Sequence, residues 1–373
     1  MKILFSCLSK SWGGLEMVTI NTIKALLDKG ITVELICTAE SRIHIEANNF
    51  GMIIYPVKAP GYFHPFTTIR AASIIKNGKY NLIHTHASKD LWLLVPALKF
   101  IRNRTPLLLT KHTGSFIIKK DKIHSWLYRR VNYAIAISNV IKQNLLETTT
   151  LDKDKIILHY NGVDCNKFDP AKYNGNIVRQ EFNIKKSDLL IGMVARFSSG
   201  KGHEEFITSA KKLNEKHSNL RFIIVGEASR GESSYESHIK KLASDISLQN
   251  IIFTGFRDDI PEVIAAMDIF IMPSRSEAFG VALVEAMAMG KPSVCSNSDG
   301  ILDIAVDGKT GHLFENKDSE DLKNKIELLI QSPDKRKAYG EEARKRAIKH
   351  FDFDKLINGL VDIYLRIINH SSN

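Results

Sequence analysis

The sequence predicts an α/β protein made of two doubly wound, parallel-sheet domains that face each other across a cleft. Short apolar runs alternate with helical stretches through most of the 373 residues, and strands separated by helices form parallel sheets. The alternation stops over residues 161–185, which collect Asn, Asp, Lys, Gly and Pro as a linker does, and then begins again. A chain of this length has room for two cores. We therefore expect domains over residues 1–170 and 185–350.

The first series of elements follows from short β-branched runs and the longer stretches between them. Strands are expected at Lys2–Leu8, Thr32–Thr38, Ile53–Val57, Asn81–His86, Pro106–Lys111, Tyr133–Ser138 and Ile156–His159. Helices are expected at Leu15–Asp28, Phe66–Lys76, Leu91–Ile101 and Asn139–Glu147.

The second series has the same pattern. Its strands are expected at Leu189–Ala195, Arg221–Gly226, Ile251–Thr254, Asp268–Met272, Pro292–Ser296 and Gly311–Phe314. Its helices are expected at Glu204–Lys216, Glu236–Ser244, Ile260–Ala266, Val281–Met289 and Asp321–Ile330, and two more follow at Asp334–His350 and Asp354–Ile368.

The composition is that of a globular protein, with 44% hydrophobic and 25% charged residues. No apolar run reaches the roughly 18 residues that a transmembrane helix needs. The first residues are typical of a strand and its loop, not of a signal peptide. Four scattered cysteines without a C-x-x-C pair indicate free thiols in a reducing cytoplasm and argue against a zinc site.

The positive charge is concentrated in the first half of the chain. Residues 1–150 hold 20 Lys and Arg against 8 Asp and Glu, a net charge of +12, whereas the rest holds 32 against 33. An anionic membrane surface, a phosphorylated substrate or nucleic acid would fit this asymmetry. Phe116–Arg130 mixes aromatic, aliphatic and basic residues, as a membrane-surface helix does, although a packed helix with a solvated basic face is the alternative. No nucleic-acid-binding module is recognisable, so we expect no nucleic acid partner.

Two carboxylates interrupt an otherwise apolar strand–loop–helix stretch, Asp268–Gly290. Glu277 lies in the predicted loop and Glu285 in the predicted helix, and a carboxylate among apolar residues is costly to bury without a polar partner. A surface pair of glutamates is the alternative. Because open α/β sheets bind ligands at such loops, the two carboxylates are candidates for binding hydroxyl groups of one extended ligand. The backbone N–H groups of Phe279, Gly280 and Val281, at the start of the helix, would point to the same ligand.

Two cations follow the first strand of the second series, in the loop RFSSGKG. Arg196 and Lys201 are suited to bind a diphosphate. A guanidinium group can donate two parallel hydrogen bonds to a phosphate, and an ammonium group attracts it as a point charge. The P-loop spacing is absent, and an exposed basic turn is the alternative.

Two further loops of the first domain carry candidate residues. Gly13 and Gly14 would let the backbone approach phosphates, or simply form a tight turn. His84 and His86 end one strand on the same face, and His112 ends the next. The spacing of His84 and His86 could suit two metal ligands, but no third ligand for that pair is evident, and such histidines are often structural. His112 could line the acceptor pocket.

These motifs resemble those of the retaining glycosyltransferases of family 4, which have the GT-B fold. The resemblance spans the chain and rests on EAFGVALVE, RFSSGKG, IHTH and NGVD. It implies that the second domain binds a nucleotide-sugar donor and the first an acceptor. It also implies that a C-terminal helix over 354–373 packs back on the first domain.

The resemblance gives each candidate residue a role. Glu277 would contact the transferred sugar and Glu285 the ribose, while Phe256 and Arg257 would lie beside the base. The residues with catalytic roles would be His86, Glu277, Arg196 and Lys201. The residues that bind the nucleotide-sugar donor would be Gly13, Gly14, Arg196, Lys201, Phe256, Arg257, Glu277, Phe279, Gly280, Val281 and Glu285.

The predicted activity is transfer of a sugar, with retention and without a metal or other cofactor. The donor would be a UDP-linked sugar, or a GDP-linked one, and the acceptor a lipid-linked glycan or a lipopolysaccharide. The expected location is cytoplasmic, at the inner face of the membrane. A nucleotide-sugar epimerase of the same fold, and a non-catalytic basic protein that binds membrane or nucleic acid, are the alternatives. The identity of the sugar and the oligomeric state are left open.

Overall fold

The structure, a computed structural model, describes residues 1–229 and 231–372. The chain forms two compact units, one of Met1–Asn161 with the residues from Asp354 onward and one of Gly162–Phe353. Each described unit contains a parallel sheet with helices between its strands. The predicted α/β fold with two doubly wound sheets is confirmed.

The first unit has a seven-stranded sheet in the described residues, with the order β3-β2-β1-β4-β5-β6-β7. Its strands are β1 (Lys2–Cys7), β2 (Thr32–Thr38), β3 (Ile54–Val57), β4 (Leu82–Thr85), β5 (Leu107–Lys111), β6 (Tyr133–Ala136) and β7 (Ile156–Leu158). Its helices are α1 (Gly14–Asp28), α2 (Arg42–Asn48), α3 (Pro65–Gly78), α4 (Leu91–Phe100), α5 (Lys122–Tyr128) and α6 (Asn139–Thr148), with 3₁₀ turns at Ser88–Asp90 and Lys153–Lys155.

The second unit has a six-stranded sheet in the described residues, with the order β10-β9-β8-β11-β12-β13. After helix α7 (Asn176–Glu181), its strands are β8 (Leu189–Val194), β9 (Leu220–Val225), β10 (Ile251–Phe253), β11 (Ile269–Met272), β12 (Ser293–Ser296) and β13 (Gly311–Phe314). Its further helices are α8 (His203–Asn214), α9 (Ser233–Asp245), α10 (Ile260–Ala266), α11 (Val281–Ala288), α12 (Ile301–Ile304), α13 (Ser319–Ile330) and α14 (Pro333–His350); α15 (Phe353–Ser372) follows.

Both sheets reverse their strand order next to the first strand. In the first unit β1 pairs with β2 on one side and β4 on the other, and in the second β8 pairs with β9 and β11. The loops after β1 and β4, and those after β8 and β11, therefore diverge to opposite faces of their sheets. A crevice opens at the carboxyl ends of the strands at such a point. Each unit thus has one place that favours a ligand.

The central strands are buried on both faces, which explains their unbroken apolar sequences. Residues Ile3–Cys7 of β1 are all buried, as is usual for a parallel strand covered by helices on both sides. In the second unit, Phe206 of α8 packs edge-on against Phe222 of β9 within the main apolar cluster. These cores fix the strand ends, and the functional loops extend from them.

Every predicted strand is present, with ends that differ by at most two residues. The prediction of one helix over Phe116–Arg130 is wrong, because α5 covers only Lys122–Tyr128. Its start is set by Asp121, whose carboxylate accepts hydrogen bonds from the N–H groups of Ile123 and His124.

Residues 161–185 are interpreted from the sequence as a linker, but from Gly162 onward they are part of the second unit and include α7. Arg179 binds the Asp268 carboxylate at 2.5 Å and the Ala266 carbonyl at 3.0 Å. Gly175 (φ +69°) lies so close that a Cβ would come within 2.3 Å of Ala266. A six-residue helix is too short to give a periodic apolar pattern, which is why the sequence does not reveal this attachment.

None of the helices within residues 1–229 and 231–372 is long and apolar enough to cross a membrane. All four cysteines are buried free thiols.

Candidate active site

The second unit brings Lys201 and Glu277 together at the point where its strand order reverses. Lys201 lies in the loop after β8 and Glu277 in the loop after β11, and these strands are neighbours. The Lys201 ammonium donates to Glu277 Oε2 at 2.6 Å, with both side chains partly buried. Two residues predicted separately from the sequence therefore form one ion pair.

Glycine at position 202 allows the two loops to meet. Gly202 precedes α8 with φ +78°, and a Cβ there would lie 2.0 Å from the Pro273 carbonyl oxygen. Next to it, the Arg275 N–H donates to the Gly200 carbonyl at 2.8 Å. The backbone contact between these loops sets the separation of Lys201 from Glu277.

The backbone around Glu277 is also held from the loop that follows β12. The N–H of Gly300 donates to the Glu277 carbonyl at 2.8 Å, and Ser276 Oγ donates to Asp299 at 2.5 Å. A Cβ on Gly300 would lie 2.4 Å from the Ala278 carbonyl oxygen, so only glycine fits this contact without a shift. The loop that carries Glu277 is thus held by hydrogen bonds to the loop after β8 and to the loop after β12.

Arg275 supports the same loop through its side chain, a role that the sequence prediction missed. Its guanidinium donates to Glu205 at 2.7 Å and lies 3.6 Å from Glu204, and both glutamates are in the first turn of α8. The Tyr235 hydroxyl donates to the Glu204 carboxylate at 2.8 Å. The sequence signal was an Arg two residues before Glu277 together with a Glu pair just after Lys201.

Glu285 lies in the middle of α11 and is partly buried. Burial raises the pKa of its carboxyl to about 7, while the nearby Lys167 ammonium opposes this shift. Near neutral pH this carboxyl is therefore divided between an ionised acceptor and a neutral group. Lys167 lies three residues after the NGVD segment, so the stretch that follows this motif contributes positive charge to the site.

The start of α11 lies between the two glutamates. Gly280 precedes the helix with φ +108°, a conformation that favours glycine, and among the described residues no side chain caps this end. The N–H groups of Val281 and the rest of the first turn favour an anion. The ring of Phe279 is buried edge-on against Phe351, so its side chain supports the helix from the core.

Arg196 extends from the same loop as Lys201 but has looser contacts. Its side chain is 59% exposed, donates to Ser229 Oγ at 3.2 Å and lies 4.0 Å from Glu232. Such an exposed cation is available to an anionic ligand, and its ion pair contributes little to stability.

Phe256 and Arg257 lie after β10, the edge strand of the sheet, two strands away from β8. The Phe256 ring is exposed. The Arg257 guanidinium binds both oxygens of Asp259, at 2.8 and 2.6 Å, and Glu181 at 2.7 Å. The structure therefore does not bring these two residues into contact with Lys201 or Glu277, and Arg257 has carboxylate partners within the protein.

In the first unit, the loop after β1 ends at Gly13 and Gly14. The Gly13 N–H donates to the buried Glu16 carboxylate at 2.8 Å, which caps α1. A Cβ on Gly14 would have no atom within 4 Å, and neither residue has a positive φ. Nothing in the described part of the protein therefore requires glycine at position 14.

Three buried histidines form a cluster at the carboxyl end of β4 and β5. His84 is bonded to the hydroxyls of Tyr364 and Thr110, each at 2.7 Å, and so connects β4 to α15. His86 Nδ1 lies 3.0 Å from His112 Nε2, and the two rings are stacked. Burial lowers the pKa of His84 and of His112 to about 3 and that of His86 well below its usual value. All three are therefore neutral at physiological pH.

His86 differs from its neighbours because one ring nitrogen has no partner. Its side chain is 3% exposed, and Nε2 makes no hydrogen bond to the described residues. A buried polar atom without a partner is costly. This nitrogen is thus available to a ligand group.

Asp90 is a buried carboxylate at the same sheet edge that sequence reasoning missed. It accepts hydrogen bonds from Ser6 Oγ at 2.8 Å, from Thr85 Oγ1 at 3.1 Å and from the Leu8 N–H at 3.3 Å. Burial raises its pKa to about 6, against the effect of these donors. Asp90 ties the end of β4 to the start of the loop that leads to Gly13. Only its position four residues after His86 could have indicated this.

The second-unit site has the groups needed to bind a phosphorylated ligand with hydroxyls. Lys201 and Arg196 supply positive charge, the start of α11 supplies N–H groups, and Glu277 and Glu285 supply acceptors. Within residues 1–229 and 231–372, no three His, Cys, Asp or Glu side chains are grouped so that they could hold a metal ion.

Comparison with known proteins places both units in one family. Residues 176–346 match "Glycosyl transferases group 1" and residues 12–167 match "Glycosyltransferase Family 4". The Escherichia coli UDP-Gal:alpha-D-GlcNAc-diphosphoundecaprenol alpha-1,3-galactosyltransferase is 26% identical over 308 residues, 79% of this chain and 78% of that protein.

Solved structures of similar fold include a glycosyltransferase. A glycosyltransferase from Rickettsia africae ESF-5 has a TM-score of 0.89 and 26% identity, with 98% of each chain covered. Anabaena Alr3699/HepE in complex with UDP and glucose has a TM-score of 0.82 and 24% identity, with 97% of this chain and 99% of that one covered. From its two family matches, its two doubly wound sheets and these neighbours, the chain belongs to the family 4 glycosyltransferases and has the GT-B fold.

Proposed function

We propose that this glycosyltransferase moves a sugar from a UDP-linked donor to a lipid-linked or polysaccharide acceptor, with retention of anomeric configuration. The observation that carries the proposal is the joining of Lys201 and Glu277 in one site, with the start of α11 and Glu285 beside it. Cations suit the diphosphate and carboxylates suit the hydroxyls of ribose and sugar. Similarity to the E. coli galactosyltransferase and to the UDP-bound Anabaena protein supports UDP over GDP.

Lys201 and Arg196 act on the leaving group. As the bond between the anomeric carbon and the β-phosphate oxygen breaks, negative charge grows on the diphosphate. Fixed cations stabilise that charge in the transition state, and removing one such group typically costs about 10²–10³ in rate. These two cations can take the role that a metal has in other transferases, so we propose that transfer needs no metal.

Retention follows from attack on the face that the leaving group departs from. The acceptor hydroxyl oxygen forms the new bond to the anomeric carbon, and its proton passes to the departing phosphate oxygen. Glu277 accepts a hydrogen bond from the sugar and holds it in position. From the family resemblance we also propose that neutral His86 contacts the transferred sugar through its unpartnered Nε2.

The acceptor is assigned to the first unit, and with it contact with an anionic membrane. The Tyr62 ring packs against Trp92 of α4 at 5.1 Å in a tilted arrangement, and Trp92 meets His124 of α5 edge-on at 5.6 Å. The loop before α3 and helix α5 therefore both pack on Trp92. Around them large apolar side chains are exposed, among them Phe63 and Phe66, each 86% exposed. The others are Tyr62, Ile69, Phe116, Ile117, Ile118, Ile123 and Trp126. We name this set the apolar rim.

Basic residues flank the apolar rim. Lys119, Lys120 and Lys122 lie in sequence between its Ile118 and Ile123, and the Lys89 ammonium lies over the Tyr62 ring, 5.5 Å from its centre. Apolar side chains that enter the interface, with lysines that meet anionic headgroups, give reversible binding to a membrane. A position at the inner face of the cytoplasmic membrane would deliver a lipid-linked acceptor to the first unit.

The test uses purified protein, membrane extract and a panel of UDP- and GDP-linked sugars with radiolabelled sugar, with and without EDTA. We expect transfer of label to the lipid fraction from at least one UDP-linked sugar, unaffected by EDTA. Loss of activity in EDTA would refute the metal-free mechanism. Retention would be checked from the anomeric configuration of the product.

Membrane contact is tested separately by flotation with vesicles of phosphatidylglycerol and phosphatidylcholine. A variant with Phe63, Phe66 and Phe116 replaced by Ser should remain in the protein fraction, whereas wild type should float. Equal flotation of both proteins would refute the apolar rim as the contact surface.

A further inference from the structure

The Lys201–Glu277 contact joins two groups that need different partners during transfer. In the structure the Lys201 ammonium donates to Glu277 at 2.6 Å. In the proposed function the same ammonium binds the diphosphate and the same carboxylate accepts from the sugar. Both side chains are partly buried, so neither is freely hydrated when it loses the other.

We infer that the Lys201–Glu277 ion pair makes the site select a nucleotide sugar over the bare nucleoside diphosphate, an inference that rests on the proposed function. A diphosphate must take Lys201 away from Glu277 in order to bind. With a nucleotide sugar, a sugar hydroxyl then donates to the freed carboxylate and replaces the lost contact. With UDP alone nothing donates to Glu277, so the carboxylate stays half-buried without a partner.

The consequence is that Glu277 weakens binding of the reaction product. Once the sugar has left, Glu277 competes with UDP for Lys201, and re-formation of the ion pair favours release of UDP. The loops that carry the two residues are joined by the Arg275–Gly200 backbone hydrogen bond and the Gly202–Pro273 contact. The ion pair can therefore re-form without a rearrangement of the backbone.

The inference predicts an unusual sign for an isosteric change at a catalytic carboxylate. Replacing Glu277 by Gln removes the competing charge and frees Lys201 for the diphosphate. We expect the full-length E277Q protein to bind UDP about threefold to fivefold more tightly than wild type, the range that loss of a partly screened ion pair allows. The same variant should transfer sugar more slowly.

The experiment is a double-mutant cycle by isothermal titration calorimetry with UDP, on wild type, E277Q, K201M and K201M/E277Q. K201M should bind UDP more weakly than wild type. In the K201M background the Glu277 change should have no effect on affinity, because no ammonium is left to release. Thermal unfolding of each variant shows whether it is folded.

Equal or weaker binding of UDP by folded E277Q would overturn the inference and leave the proposed function standing. The same tightening in the K201M background would also overturn it, since the effect would then be a general one of charge. If wild type binds neither UDP nor GDP, the proposed function itself fails and the inference with it.

Discussion

Replacing Gly202 by alanine tests whether transfer depends on the separation of the loops that carry Lys201 and Glu277. A Cβ at this position would lie 2.0 Å from the Pro273 carbonyl oxygen, whereas ordinary contacts begin at 3.4 Å. The two loops must therefore move apart by about 1.4 Å, and a misplacement of about 1 Å at catalytic groups typically costs about 10²-fold in rate. Alanine at φ +78° adds roughly 1–2 kcal/mol of backbone strain.

The assay is release of nucleoside diphosphate from the accepted donor, normalised to folded protein, together with thermal unfolding. We expect kcat/KM to fall about 100-fold in G202A, and its stability to fall as well. Gly308→Ala is the matched control, because Gly308 also has a positive φ (+68°) but a Cβ there would meet nothing within 4 Å. G308A should lose stability by a similar backbone term and keep its kcat/KM. A G202A protein with wild-type kcat/KM would refute the reasoning.

Three more predictions follow from the sites. The pKa of Glu285 is about 7, and its neutral form is the weaker acceptor for ribose hydroxyls. UDP affinity measured by calorimetry should therefore fall from pH 8 to pH 6 more steeply in wild type than in E285Q. Parallel pH profiles of the two proteins would contradict this. Arg275→Met should lower kcat/KM about tenfold by loosening the loop that bears Glu277, and Arg275→Lys should restore part of it, whereas a purely structural role would lower the melting temperature without the kinetic loss. Burial lowers the pKa values of His84 and His112 to about 3, so below pH 6.5 the unfolded chain binds more protons than the folded protein. The stability that these histidines contribute should be full above pH 6.5 and should decline as pH falls from 6.5 to about 3, by up to about 1.4 kcal/mol per pH unit for each histidine. Thermal unfolding of a His84→Phe variant should show a shallower decline.

The strands and the paired glutamates could be predicted because their signals are local. A short β-branched run followed by Pro273 and Gly280 indicates a strand, a loop and a helix start wherever it stands in a chain. The meeting of Lys201 with Glu277 also follows from topology, since the first and fourth strands of a doubly wound sheet are neighbours.

The contacts that sequence reasoning missed join residues far apart in the chain. Asp90 is a single acidic residue in a polar turn, and only the pairing of β1 with β4 brings Ser6 and Leu8 to it. Arg275 finds its carboxylates 70 residues away, at the start of α8. The start of the helix expected over Phe116–Arg130 was misjudged because its composition, rich in aromatic and basic residues, does not show that Asp121 caps a helix beginning at Lys122.

The most direct test of the central claim is turnover of UDP-linked sugars by wild type, K201M and E277Q in the presence of membrane extract. The prediction is that wild type transfers label from at least one UDP-linked sugar to the lipid fraction, that K201M loses at least about 100-fold in kcat/KM, and that E277Q transfers slowly while binding UDP more tightly. Transfer by K201M at the wild-type rate would contradict the assignment of the site, and no turnover of any nucleotide sugar by wild type would contradict the proposed function.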